Sequence, residues 1–216
     1  MASLSDDVRV ALLSRGTYVG FRHRDVVVLQ GDIGDSLYVL TGGVVKVTVS
    51  AASGAEAIVA LRSRGDLIGE FAVLDDKPRA ATARAVGAVG AIRISRQDFG
   101  AFGREHPAAR ETVTRSLLAK MRASTDWNAQ RARSAHARLA RALHDLATDY
   151  GEIEDDGSVV IPLELTQSEM GELAGTAVST TERILAGLRE EGVVTTGYKA
   201  ITVRDMDRLY EIATGK

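Results

Sequence analysis

Between Val26 and Ser95 the apolar residues come in short β-rich runs, VVVL, SLYVL, VVKVTVS, AIVAL, ATARAV and AIRI, separated by glycine and Asp/Gly punctuation such as GDIGD, TGG and RGD. Repeated short strands at this spacing predict an all-β sandwich or barrel. Val45, Val47 and Val49 alternate with Lys46, Thr48 and Ser50, the period of a strand buried on one face with the other face wet. Upstream, Leu4, Val8, Leu12 and Leu13 follow helical spacing and predict a short helix leading into the sheet.

After Pro107 the pattern turns helical. Val113, Leu117 and Met121 lie four apart and predict a long helix from about Ala108 to the neighbourhood of Arg133, with a seam that turns polar through Ser124, Thr125 and Asn128. Ser134 reads as the N-cap of a new helix carrying Leu139, Leu143 and Leu146 on one side, and 149–157 reads as an acidic, turn-rich loop. Two short helical patterns follow, around 168–174 and 178–190, and then Val193, Val194, Gly197 and 201–203 read as a small hairpin. Helix, turn, helix and β wing together make a winged helix. The pattern places boundaries at 1–106, 107–133 and 134–216, in an α+β chain.

Composition narrows the chemistry. The chain's 216 residues are 45% hydrophobic and 26% charged, the usage of ordinary globular proteins, which excludes disorder and collagen-like structure. With no cysteine, a disulfide framework, a thiolate-held cluster and a cysteine nucleophile are impossible. His23, His106, His136 and His144 lack HxH or HExxH spacing, and no GxSxG elbow or GxxxxGK[ST] loop occurs. No metal site and no catalytic residues are expected. The first residues carry acids and no basic apolar run, and no stretch approaches the ~18 apolar residues of a membrane span, so a cytoplasmic chain without a membrane partner is expected.

The net charge of -2 is unevenly spread. Residues 151–216 hold six basic residues, including Arg183, against thirteen acids, whereas Arg131, Arg133, Arg138 and Arg141 cluster just upstream.

The stretch Gly65 to Leu74, followed by Pro78-Arg79-Ala80-Ala81-Thr82, has a chemical logic for a small cyclic phosphate. A glycine lets backbone N–H groups approach phosphate oxygens, a following short helix offers its N-terminus, and an arginine supplies charge-assisted donors. Glu70 needs a hydroxyl between itself and such an anion, and a ribose 2′-OH is one.

Gly69-Glu70 with Arg79-Ala80-Ala81-Thr82, behind 31–35 (GDIGD) and Tyr38-Val39-Leu40, resembles the cyclic-nucleotide-binding β-roll of the Crp/Fnr regulators and of protein kinase A regulatory subunits. The whole chain resembles the Crp layout: a double-stranded, jelly-roll-like β-roll, a long dimerisation helix and a winged helix. The resemblance implies that Gly69 and Glu70 hold the ribose, that Arg79 and the Ala80 backbone hold the cyclic phosphate, and that Ser124 meets the adenine. Ala80 stands where Crp-type proteins commonly have serine, and its missing hydroxyl favours cAMP over cGMP. Val113, Leu117 and Met121 would hold a homodimer, with the contact near Ser124 depending on ligand.

Residues 165–175 with Arg183-Ile184-Leu185 resemble the Crp helix-turn-helix, Gly175 standing at the turn. In such a motif the second helix lays its first turns in the major groove, which makes Val178, Ser179, Thr180 and Arg183 the candidate readers of double-stranded DNA. Arg183 matches the family's base-contacting arginine, whereas Val178-Ser179 replaces the usual Arg-Glu pair. The expected function is a non-enzymatic, cAMP-responsive transcription regulator, with RNA polymerase a partner that the resemblance admits. The acidic winged helix supports an alternative, a cyclic-nucleotide sensor whose C-terminal module binds a protein.

Overall fold

The computed structural model describes residues 6–50, 56–107, 109, 111, 113–115, 117–120, 122, 133–197 and 200–215. The chain divides into two compact units, Met1–Thr125 and Asp126–Lys216.

The first unit opens with α1 (Asp6–Leu13) and continues through β1 (Thr17–Phe21), β2 (Val26–Val28), β3 (Ser36–Ser50), β4 (Glu56–Arg62), β5 (Leu67–Ile68), α2 (Glu70–Asp75), β6 (Thr82–Ser95) and α3 (Arg96–Glu105). The described residues from 107 to 122 are helical and form α4. The antiparallel sheet runs β1-β6-β3-β4, with β2 added to β6 and β5 to β3.

The roll is built on two long strands where the glycine punctuation predicts several short ones. β3 and β6 pair from Ser36 opposite Ser95 to Thr48 opposite Thr82, and the register shifts at Gly42 without ending the ladder. Gly43, at φ 76°, takes a left-handed conformation there, and a Cβ on it would lie 2.9 Å from Cα of Val89. The glycines therefore form a bulge that bends continuing strands.

β3 separates two apolar clusters. Leu37 and Val39 join Leu12, Leu67, Ile94, Phe99 and Phe102 beneath the helices, whereas Leu40 and Val45 join Val27, Ile68, Ala85 and Ala91 inside the roll. The predicted wet face of 45–50 is corrected: Thr48 is buried and Val49 half-buried. A second register shift, between Val47 and Thr48 opposite β4, interrupts the alternation, and the buried Thr48 hydroxyl donates to Glu56 at 2.6 Å. β1, which precedes the predicted β-rich region, pairs with the upper half of β6.

The second unit contains α5 (Ala135–Tyr150), β7 (Glu152–Ile153), β8 (Val159–Ile161), α6 (Gln167–Ala174), α7 (Val178–Glu190), β9 (Val194–Gly197), β10 (Ala200–Val203) and α8 (Met206–Thr214). Ser134 caps α5 by accepting from the Ala137 N–H at 3.2 Å, and Leu139, Leu143 and Leu146 are buried. The hairpin β9–β10 is half of a four-stranded sheet, β7-β8-β10-β9. The acidic stretch read as a loop is itself a hairpin: Asp156 accepts from the Ser158 N–H and hydroxyl, which holds its carboxyl below the usual range, and Gly157 turns at φ 82°. α8 was not signalled by the pattern; its Leu209 and Ala213 are buried.

Candidate functional site

The segment between β5 and β6 folds around one arginine. Arg79 is only 7% exposed, and its main chain is pinned on both sides, its N–H donating to Asp32 O at 2.8 Å and its carbonyl accepting from Gly31 N–H at 2.9 Å. The loop 31–35 is thereby drawn alongside it. Its guanidinium donates to the carbonyls of Gly69 and Ser36, each at 2.6 Å.

Glycines flank that guanidinium. A Cβ on Gly34 would lie 2.6 Å from Cβ of Ala72 and 2.9 Å from Cζ of Arg79, and one on Gly69 would overlap Nη1 of the same arginine. Gly69 also sits at φ 81°, the left-handed conformation that starts α2. Both positions thus require glycine because the guanidinium fills the space a side chain would take. Burial pulls Arg79 below its ordinary pKa, opposed by Tyr38, Asp35, Asp32 and Glu70. Asp35 accepts from the Ser36 hydroxyl at 2.8 Å and from Arg93, which holds its carboxyl below the usual range.

Gly69, Glu70 and Arg79 are therefore brought together. Glu70 is 2% exposed. It accepts at 2.6 Å from Nζ of Lys120, a residue the motif does not include. Ala80 follows Arg79 on the exposed surface, and Ser124 lies outside the described residues.

Val113, expected on a dimer seam, serves the core of its own unit. That side chain is 6% exposed and packs with Leu12, Phe99, Phe102 and Ala109 in the core of its own unit, with Leu117 resting on the same cluster. A four-residue apolar spacing identifies a buried face without identifying what buries it. Among the described residues of α4, Leu118 is a large apolar side chain left 49% exposed, and Met121 lies outside the described residues.

In the second unit α6 begins with a reciprocal capping box between Thr166 and Glu169 and ends at Gly175, φ 62°. α6 and α7 cross closely at Gly171, where a Cβ would lie 2.7 Å from Oγ1 of Thr181 and 2.9 Å from O of Thr176. Thr181, fully buried, donates to the Ala177 carbonyl at 3.1 Å and meets the Thr176 hydroxyl at 2.8 Å. Val178, Ser179 and Arg183 are exposed on α7, whereas Thr180 is half-buried.

The arginines upstream of this motif are structural. Arg138 donates to the carbonyls of Ala174 at 2.8 Å, Gly175 at 2.9 Å and Arg133 at 2.6 Å, a cation at the C-terminus of α6. Arg133 donates to Ala213 O at 2.7 Å, and Arg141 pairs with Asp145 at 2.8 Å. Arg131 lies outside the described residues.

The first unit is thus an antiparallel roll and the second a helix-turn-helix with a β wing. The family description of a cyclic nucleotide-binding domain matches residues 7–106, and that of a Crp-like helix-turn-helix domain matches 137–212. The "Cyclic AMP receptor protein" of Thermus thermophilus is 32% identical over 188 residues, 86% of this chain and 83% of that one. The "CRP-like cAMP-activated global transcriptional regulator" of Mycobacterium tuberculosis is 27% identical over 192 residues, covering 88% and 85%. Among solved structures, the c-di-GMP-responsive global regulator CLP of Xanthomonas campestris superposes with a TM-score of 0.80 at 17% identity, covering 93% of this chain and 100% of that one. The chain belongs to the Crp/Fnr family of transcription regulators.

Proposed function

We propose that this regulator binds cAMP in the pocket around Arg79 and, as a homodimer, reads double-stranded DNA with α7. The observation that carries the reading is the buried Arg79 guanidinium between Gly34 and Gly69, with Glu70 beside it. A guanidinium has five N–H donors, and those beyond the bonds to Gly69 and Ser36 suit a phosphate, which meets such a fork bidentately. Glu70 accepts a ribose hydroxyl and Ser124 the adenine, as the family resemblance implies. cAMP stands in the names of the Thermus and Mycobacterium relatives, and c-di-GMP in that of the Xanthomonas structure. Calorimetry with cAMP, cGMP and c-di-GMP separates these ligands, and Ala80→Thr is expected to raise cGMP affinity relative to cAMP by giving the guanine edge a hydroxyl. An unmoved ratio places the base elsewhere.

In this reading the functional division is 1–106, 107–133 and 134–216, the middle segment packing on the first unit through Val113 and forming the dimer through the outward Leu118 face. DNA reading rests on Ser179 and Arg183, exposed on the first turns of α7. The thirteen acids against six basic residues in 151–216 favour a second reading, a winged helix that binds a protein. Because cationic contacts supply most non-specific DNA affinity, this dimer should show a shallow salt dependence. Absence of any two-fold-symmetric site in a low-salt genomic selection, together with no retardation of random DNA, selects the protein partner.

A further inference from the structure

The helices of the first unit enclose a second cavity, whose lining includes neither Arg79 nor Glu70. Residues of α2, α3 and α4 wall a space of about 430 Å³, within the ~300–1,000 Å³ of small-molecule sites. Its floor is apolar: Val73 of α2, Phe99 of α3 and Val113 of α4 are buried, and Leu117 is half-buried. Leu74 also lines it and is 48% exposed, so the apolar surface continues to the mouth.

The polar groups at that mouth are cationic. Among the described residues the lining carries two arginines and no acid. Arg96 is committed, its guanidinium pairing with Asp76 and donating to the carbonyls of Gly34 at 2.6 Å and Ala72 at 2.8 Å. Arg104, exposed in the last turn of α3, has no acid within ion-pair distance among the described residues, whereas Arg15 pairs with Glu105 and Arg115 with Glu111. Its Nη1 lies 3.7 Å from where a Cβ on Gly100 would stand, so the guanidinium folds back along α3 at the edge of the cavity. Gly100 lines the cavity without a positive φ, and glycine inside a helix costs stability relative to alanine. A methyl there would meet only Arg104, so packing within the chain does not demand the glycine, and its effect is to keep the cavity open.

We propose that this cavity binds a small amphipathic carboxylate, its apolar body against Phe99, Val113 and Leu117 and its head on the Arg104 guanidinium. An apolar cleft with one convergent charged group both holds and orients such a molecule, and a guanidinium meets a carboxylate through two parallel N–H donors. The site stands whatever the Arg79 pocket binds.

The test is calorimetry of the full chain with decanoate below its micelle concentration, with decanol and decyltrimethylammonium as neutral and cationic probes of the same length. The wild type is expected to bind decanoate saturably and more tightly than the ammonium. Arg104→Gln, at an exposed position, should weaken decanoate about tenfold or more while decanol moves little, the signature of a lost charged hydrogen bond. Gly100→Leu fills the space and should abolish binding of both, with thermal unfolding reporting that the variant is folded; if it is not, Arg104→Gln decides alone. Absence of decanoate binding, equal affinity for the ammonium, or a decanoate affinity unmoved by either folded variant overturns the proposal.

Discussion

Gly34→Ala tests the arginine cradle with one added methyl. The φ of Gly34 is not positive, so alanine meets no backbone strain there and the effect is that of the methyl alone. The methyl would lie 2.6 Å from Cβ of Ala72 and 2.9 Å from Cζ of Arg79, well inside the ~3.5–4.0 Å of an unstrained carbon contact. The loop, α2 or the guanidinium has to yield. Overpacking a filled site of this kind costs about 1–3 kcal/mol, a fall of several degrees in Tm for a unit of this size. If the guanidinium yields, its bonds to Gly69 and Ser36 weaken and cAMP affinity falls by about tenfold or more. Ala72→Gly in the same chain removes the 2.6 Å contact and should restore much of the stability, while the approach to Arg79 keeps the affinity low. Thermal unfolding and calorimetry on the wild type and the two variants separate the two effects. A Gly34→Ala chain with wild-type Tm and wild-type cAMP affinity would refute the cradle.

Arg79→Leu should abolish cyclic nucleotide binding, since a phosphate deprived of its charged partner loses about 2–5 kcal/mol, and unchanged affinity in calorimetry would sink the assignment. Gly171→Ala should loosen the crossing of α6 and α7, lowering the stability of the second unit by about 1–3 kcal/mol in denaturant unfolding and weakening operator binding with it. Arg183→Ala should cost about 1–3 kcal/mol on the best operator and relax one position per half-site in a binding selection, leaving random DNA binding nearly unchanged.

What was legible in the sequence followed from local chemistry. Ser134 and Gly175 announce a cap and a left-handed turn by residue type alone, and Gly69, Glu70 and Arg79 are brought together as their motif implies. The errors came where distant packing decides. Gly42 and Gly43 look like a turn until the opposite strand supplies partners on both sides of them. The spacing of Val113 marks a buried face, and only the folded structure shows that Leu12, Phe99 and Phe102 pack against it. Lys120 was missed although it stands two turns beyond Val113 on that face, because a lysine there can equally extend to water and the sequence does not show Glu70 beneath it. Gly171 and Thr181 gave no signal of their own, because a close helix crossing depends on two segments at once.

Arg138 joins three points that the chain visits at different times: the entry to the second unit at Arg133, the end of α6 at Ala174, and the turn residue Gly175. A planar fork bonded at three points resists shear better than any one of its bonds. The turn before α7 is therefore fastened, through one side chain, to the residue at which the chain enters the unit. Ser179 and Arg183, exposed on the first turns of α7, follow that fastened turn directly in the chain.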